Sequence, residues 1–155
     1  MLIGSYHYHL EAKGRLAIPK TFQTDLGDQP ILTRGIETCL QLLPFNTWKK
    51  LTQNLGDNPL SGTLERQLRR LLAGQAAQIS YDTQGRILIP DYLRDTAGLT
   101  HQVVVTGAID WVEIWDRNTY VDYMADITSK APALAQQLEA KHHHPNLSGD
   151  ESLDK

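Results

Sequence analysis

The 155-residue sequence has almost no cysteine, no long apolar run and no excess of positive charge. Its one cysteine, Cys39, cannot form an internal disulfide or a zinc site of several thiolates, so nothing indicates an oxidising compartment. Without a stretch of about 18 apolar residues, no membrane-spanning helix is expected. The amino terminus lacks a basic segment followed by an apolar one, the pattern of a secretory signal. We therefore expect a cytoplasmic protein.

The sequence also lacks the short motifs of common enzyme classes. It contains no GxSxG elbow, no GxxxxGK[ST] phosphate loop and no HExxH helix. Cys39 lies in a predicted buried strand, where a thiol is usually unreactive. We expect no enzyme, no catalytic residue, no metal centre, no cofactor and no small-molecule substrate. The net charge of −3 argues weakly against nucleic-acid binding, although a few arginines can still be concentrated on one face.

What the sequence does contain is an internal repeat. The segment "LEAKGRLAIP" (residues 10–19) returns 71 positions later as "YDTQGRILIP" (residues 81–90). After one inserted residue the correspondence continues at a spacing of 72, as far as the pair Asn46 and Asn118 and the residues that follow them. A match over some 40 residues predicts two homologous halves, 5–52 and 81–124, joined by a helical linker over 53–80.

Each half has the pattern of a strand, a tight turn, a strand, a short helix, two more strands and a helix. The first strands are expected at "SYHYHL" and "AQISYD", and the short helices at "KTFQTDLG" and "DYLRDTAG". Asn46 and Asn118 are predicted to cap the last helix of each half. Residues 129–155 are expected to form a largely disordered tail, although "PALAQQLEA" could be one more short helix.

Each tight turn ends in glycine followed by arginine. Gly14 and Gly85 are suited to the positive φ of a three-residue hairpin loop. Asp82 can accept backbone N–H groups in the second turn, and Glu11 stands at the same place in the first turn. We expect both acids to stabilise their turns, the longer glutamate less well.

The arginines that follow allow two interpretations. Arg15 and Arg86 could be solubilising charges at exposed strand ends. Alternatively, a pseudo-twofold between the halves would place them together, and paired guanidinium groups suit phosphate and guanine. Lys13 and Lys20 could add phosphate contacts.

Taken together, the doubled turn, "GSYHYHLEAKGR", "LTRGIETCLQLLP" and "TGAIDWVEIWD" resemble the MraZ family of bacterial transcriptional regulators over roughly residues 1–125. The resemblance implies a β-rich α+β fold, in which tandem SpoVT-AbrB-type repeats form a swapped-hairpin barrel with short flanking helices. It also implies a nucleoid-associated homo-oligomeric ring that binds direct repeats in double-stranded DNA upstream of division and cell-wall genes, its own operon included.

In that family the Asp-x-x-Gly-Arg turns are the suggested DNA contacts, and the resemblance carries this role to both turns of this sequence. The second turn matches fully with Asp82, Gly85 and Arg86. The first departs, since Glu11 stands in place of aspartate. We expect the first turn to be the weaker contact if the two differ.

Other features admit simpler alternatives. His7 and His9 could share a metal in an unrecognised metal-dependent hydrolase, but exposed strand residues explain them as well. The linker has a leucine stripe, expected to form core or a subunit interface, and its arginines could contact DNA, a neighbouring subunit or only water. The other rival to a DNA-binding protein is an oligomeric interaction scaffold or antitoxin-like module. The linker arginines are Arg66, Arg69 and Arg70.

Overall fold

The computed structural model describes residues 1–55 and 62–143. By its contacts the chain divides into two compact units, Met1–Tyr120 and a second unit that begins at Val121. The first unit contains the strands and most of the helices. Its strands are β1 Ser5–His9, β2 Arg15–Ala17, β3 Ile31–Arg34, β4 Leu40–Leu43, β5 Ala77–Gln78, β6 Arg86–Leu88, β7 Gln102–Gly107 and β8 Val112–Asp116. The helices among the described residues are α1 Lys20–Leu26, α2 Phe45–Gln53, α3 Thr63–Gly74, α4 Asp91–Thr96, α5 Arg117–Ser129 and α6 Ala131–His143.

The two halves exchange strands in one six-stranded antiparallel sheet of order β1-β7-β8-β4-β3-β5. Each half contributes a hairpin, β3–β4 or β7–β8, and the first strand of each half pairs with the hairpin of the other half. The two hairpins meet where β4 pairs with β8. The order is therefore symmetric about its centre, and neither half completes its sheet without the other.

The remaining strands, β2 and β6, form a separate two-stranded antiparallel ribbon. Its central pair is Leu16 with Ile87, two residues at equivalent places in the two halves, so the pseudo-twofold passes between them. Both side chains are buried. Because neighbouring side chains along a strand point to opposite faces, Arg15 and Arg86 lie on the outer face of this ribbon.

The core draws equally on both halves. Its residues come from the ribbon, from the short helices and from the inner face of the sheet, and they occupy corresponding positions in the repeats. The members with the lowest exposure include Leu16, Leu32, Leu40, Leu42, Ile87, Ile89, Leu93, Val105, Val112 and Ile114. Burial of each such side chain contributes about 1.5–3 kcal/mol, so the inner face of the ribbon is anchored firmly in the core.

Several predicted elements are confirmed in outline. The short helices α1 and α4 occur where expected, and Gly27 and Gly98 follow them with positive φ. The linker helix is α3, but residues 56–61 of the linker lie outside the described residues. The α+β class is also confirmed.

Other expectations were wrong. Within the described residues the helices contain more residues than the strands, so the fold is less β-rich than expected, largely because α3, α5 and α6 are long. The first strand of the second half, β5, has only two residues. The backbone pairing beyond it ends with Ile79 N–H donating to the carbonyl of Pro30, which has no N–H to return. The expected caps are misplaced, since Asn46 and Asn118 lie inside α2 and α5.

The expectation of a disordered tail is wrong for its first half, where the alternative, a short helix at "PALAQQLEA", is confirmed. Ala131–His143 forms α6, and only residues 144–155 of the tail lie outside the described residues. Alanine, leucine, glutamine, glutamate and lysine favour the helix, and Pro132 stands in its first turn, where proline is tolerated. Lys141 and the two histidines after it lie in the last turn, where cationic side chains favour the helix dipole. Among the described residues, no helix has the length and apolarity needed to cross a membrane.

Candidate nucleic-acid interface

Two turns of matching backbone geometry precede the two strands of the ribbon. In the first, Glu11 and Arg15 pair through the backbone, and Gly14 N–H donates to the Glu11 carbonyl at 2.9 Å. In the second, Asp82 and Arg86 pair in the same way, and Gly85 N–H donates to the Asp82 carbonyl at 3.0 Å. The internal repeat of the sequence therefore produces the same backbone hydrogen bonds in both turns.

Glycine is required in both turns for two reasons. Gly14 has φ of 86° and Gly85 has φ of 75°, a region that disfavours side chains. A Cβ on Gly14 would lie 2.8 Å from the carbonyl oxygen of Ile89, and one on Gly85 would lie 2.6 Å from Nε2 of Gln23. The first obstacle is rigid backbone, whereas the second is the end of a side chain that can move.

Each half also supports the turn of the other half. The Ile89 N–H donates to the carbonyl of Gly14 at 2.8 Å, and the Ile18 N–H donates to the carbonyl of Gly85 at 3.2 Å. These two bonds are related by the pseudo-twofold. They fix the turns relative to each other, so the side chains that follow the glycines are held on one rigid ribbon.

Asp82 organises the second turn. Its Oδ1 accepts the backbone N–H groups of Gln84 and Arg86, each at 2.9 Å. Its Oδ2 accepts the guanidinium of Arg86 at 2.8 Å and that of Arg15 at 3.2 Å. The backbone N–H of Arg86, with the other donors, lowers the pKa of Asp82 to about 2. The carboxylate therefore stays charged and holds its turn in any ordinary buffer.

Glu11 behaves differently from its counterpart. Instead of bonding to its own turn, its carboxylate reaches across the ribbon to Arg86, whose Nη1 donates to Oε1 at 3.0 Å and to Oε2 at 2.8 Å. The additional methylene of glutamate carries the carboxylate beyond the N–H groups of its own turn. The expectation that Glu11 stabilises the first turn is therefore not what the structure shows.

The two arginines consequently have unequal surroundings. Arg86 contacts both carboxylates, and its side chain is 24% exposed. The hydrogen bonds that its guanidinium donates to Glu11 and then to Asp82 raise the pKa of that guanidinium. Arg15 makes one longer ion pair, to Asp82, and its side chain is 43% exposed. The structure thus brings the two predicted arginines together, but leaves Arg15 the freer of the two.

The two predicted lysines lie in or near the first turn. Lys13 lies in the turn and Lys20 begins α1, and both are exposed. Within residues 1–55 and 62–143 neither side chain forms an ion pair with a carboxylate. Neither has a lysine counterpart in the second half, where the corresponding residues are Gln84 and Asp91.

Sequence reasoning missed the two side chains that support the turns from behind. Gln23 in α1 donates from Nε2 to the carbonyls of Ile18, at 2.7 Å, and Gly85, at 3.3 Å. Its counterpart Arg94 in α4 lies behind Gly14 and forms an ion pair with Asp91. Their shared position, nine residues after each glycine, was a signal that could have identified them.

The histidine and cysteine features remain separate from the turns. His7 and His9 are exposed on β1, and the ring of His9 lies 4.9 Å from that of His101. Among the described residues, one group has ligand atoms close enough to hold a metal, namely Glu37, Cys39 and Glu113. Burial, with smaller contributions from the two glutamates, raises the pKa of the Cys39 thiol far above its usual value, which opposes the thiolate that a metal requires.

Fold and site together define a two-repeat protein in which exchanged strands hold two Gly-Arg turns on one ribbon. A family model described as "MraZ protein, putative antitoxin-like" matches residues 1–71 and again 72–141. The chain belongs to the MraZ family.

Curated relatives agree over most of the chain. A protein named transcriptional regulator MraZ from Herpetosiphon aurantiacus is 37% identical over 140 residues, which cover 90% of this chain and 98% of that protein. Proteins of the same name from Thermomicrobium roseum and Leuconostoc citreum are 36% and 38% identical over 138 residues. Those matches cover 89% of this chain and 97% and 96% of the two relatives.

Proposed function

We propose that this chain is a non-enzymatic, sequence-specific DNA-binding regulator of transcription, in keeping with the name of its relatives. The observation that carries the proposal is the outer face of the β2–β6 ribbon. This face presents Arg15 and Arg86 about one pseudo-twofold, on a ribbon whose inner face is anchored in the core.

A two-stranded ribbon has the dimensions that the major groove of B-DNA accepts. Each arginine offers a planar fork of donors that matches O6 and N7 of guanine. Opposite Arg15 stands Leu88, an apolar side chain that is 52% exposed and suited to contact with a thymine methyl group. Lys13 and Lys20 would contact phosphates beside the first turn.

The geometry also favours an order in which the two arginines contact DNA. Arg15 is more exposed and has one ion pair to break, whereas Arg86 has contacts to two carboxylates. The sequence suggests that the first turn is the weaker DNA contact. The side-chain surroundings support the reverse, and we propose that Arg15 makes the first contact with DNA.

One protomer offers only a small contact, so the proposal includes a homo-oligomer, formed as a ring, on repeated sites. Tethered protomers that read direct repeats raise the overall affinity by about 10²–10⁴ without any new contact. This would allow a chain of net charge −3 to bind a polyanion. The proposed sites are direct repeats upstream of its own operon, in the division and cell-wall gene cluster, with the protein associated with the nucleoid.

The exchanged strands support a finer structural proposal. In this proposal the ribbon and the sheet together form the swapped-hairpin barrel of tandem SpoVT-AbrB domains. The support is that the sheet order reads the same from either end when the halves are interchanged, and that β2 pairs with its own counterpart.

A gel-shift titration tests the function. The probe is a duplex containing the DNA upstream of the gene, compared with a scrambled duplex of equal length and composition. The double change Arg15→Ala with Arg86→Ala should weaken specific binding by about 10-fold to 100-fold for each guanine that an arginine no longer reads. Lys49→Ala with Lys50→Ala, two exposed lysines of α2, removes equal charge as a control. Unchanged binding by the arginine variant would contradict the proposal.

The family description favours one alternative, an antitoxin-like module that binds a protein partner. The same titration separates the two functions. An antitoxin-like module without specific DNA binding would retain the upstream and scrambled duplexes equally at matched salt. A regulator of the proposed kind would retain the upstream duplex at salt concentrations that release the scrambled one.

A further inference from the structure

We propose that Glu11 is a specificity-determining residue. In the unbound protein it restrains Arg86, and it releases Arg86 only to a base pair that accepts two hydrogen bonds from the guanidinium. This inference rests on the proposed DNA-binding function. It assigns Glu11 a role different from that of Asp82, since Asp82 holds its own backbone as well as both arginines, whereas Glu11 holds only Arg86.

The restraint is visible in the hydrogen bonds of Arg86. Its Nη1 donates to both oxygens of Glu11, and its Nε donates to Asp82 at 2.8 Å. Within the described residues its Nη2 forms no hydrogen bond with another side chain. The guanidinium therefore has most of its donors occupied by carboxylates before any nucleic acid arrives.

A comparison with Arg15 shows that Glu11 causes the asymmetry. Each arginine contacts the acid of the opposite turn, Arg86 to Glu11 and Arg15 to Asp82. Only Arg86 also contacts the acid of its own turn, Asp82. Glu11 makes no such contact with Arg15 because its carboxylate has moved across the ribbon.

This arrangement imposes different costs on different DNA sequences. A single phosphate that accepts from Nη2 brings a third anion to a guanidinium already paired with two carboxylates, so the contact gains little and does not displace Glu11. A correctly placed guanine accepts two parallel hydrogen bonds and can compensate for the loss. On non-specific DNA Arg86 therefore stays with Glu11, and Arg15 acts alone. On the proper site both arginines engage, and the ratio of specific to non-specific affinity is larger.

Two substitutions distinguish the restraint of Arg86 by Glu11 from simple electrostatic repulsion between Glu11 and DNA. Glu11→Gln removes the charge at equal length. Glu11→Asp keeps the charge but should reduce the two contacts with Arg86 to one longer contact, like that of Asp82 with Arg15 at 3.2 Å. Both should raise affinity for the scrambled duplex by roughly 3-fold to 10-fold and steepen its salt dependence by about one phosphate contact. Affinity for the upstream duplex should change less, so discrimination falls. Glu37→Gln, an exposed glutamate between β3 and β4, is the charge-matched control and should leave discrimination unchanged.

The outcome for Glu11→Asp decides the matter. If it binds both duplexes as the original protein does while Glu11→Gln binds more tightly, the carboxylate acts only through repulsion, and the proposal is wrong. The proposal also fails if Glu11→Gln leaves discrimination unchanged.

A measurement without DNA tests the restraint independently of the proposed function. Glu11→Gln should lower the midpoint of denaturant unfolding in the original protein, but not in a background that carries Arg86→Gln, where its partner is gone. An equal effect in both backgrounds would overturn the restraint even if the protein binds DNA. Coupling between the two residues, together with absent DNA binding, would instead overturn the proposed function alone.

Discussion

The first and second Gly-Arg turns have the same backbone hydrogen bonds but differ in their side-chain contacts. In the second turn Asp82 bonds to its own backbone and to both arginines. In the first turn Glu11 leaves its own backbone and contacts Arg86 instead. One methylene thus converts a residue that stabilises its turn into one that restrains an arginine of the other turn. A duplicated motif can keep its shape while its two copies take different tasks.

The largest effect is expected where the two halves are still alike, at the centre of the ribbon. Leu16→Ala and Ile87→Ala should each lower the free energy of unfolding by about 2–5 kcal/mol, because each removes a fully buried side chain on the pseudo-twofold. Denaturant unfolding measures both. A cost below about 1 kcal/mol for one of them would show that the ribbon is not anchored equally by the two halves.

The glycines should distinguish the turns more finely. Alanine at either position adopts unfavourable positive φ, at a cost of about 1–3 kcal/mol. Gly14→Ala should be the more harmful, because its Cβ meets the backbone of Ile89, whereas Gln23 can move away from Gly85→Ala. Gly74→Ala in α3 has open space and should be neutral or slightly stabilising. The reverse order for the two turn glycines would contradict this account of their packing.

The smallest of these effects is a pH dependence of the folding stability that comes from Asp82. Its pKa is about 2 in the folded protein, below the ordinary value of 3.8, so the folded state binds fewer protons than the unfolded state. Its contribution to stability is complete above about pH 4 and is lost as the pH falls towards 2. The stability difference between the original protein and Asp82→Asn, measured from pH 5 to pH 2, should therefore shrink in that range. A difference independent of pH would show that Asp82 is not held by its turn.

The sequence predicted the repeated elements because their causes are local. Glycine at a fixed place specifies the turn, proline after a short apolar strand begins each helix, and Asp82 has the length to accept N–H groups two and four residues away. These signals lie within a few residues of the structure they produce.

What could not be predicted depends on distant parts of the chain. Nothing in the pattern of β1 states that it pairs with the hairpin of the other half rather than with its own. The contact between Glu11 and Arg86 joins residues 75 positions apart and follows from the ribbon register. The helix α6 was predicted only as an alternative to disorder, over "PALAQQLEA", because its apolar residues form only a weak one-sided pattern.

Footprinting of the purified protein on the DNA upstream of its own gene tests the central claim most directly. The account predicts protection of short repeated segments at regular spacing. It also predicts that this protection is lost with Arg15→Ala and Arg86→Ala together, while Lys49→Ala with Lys50→Ala retains it. Protection that is absent with the original protein, or equally strong with the double arginine variant, would contradict the claim that the two turns bind DNA.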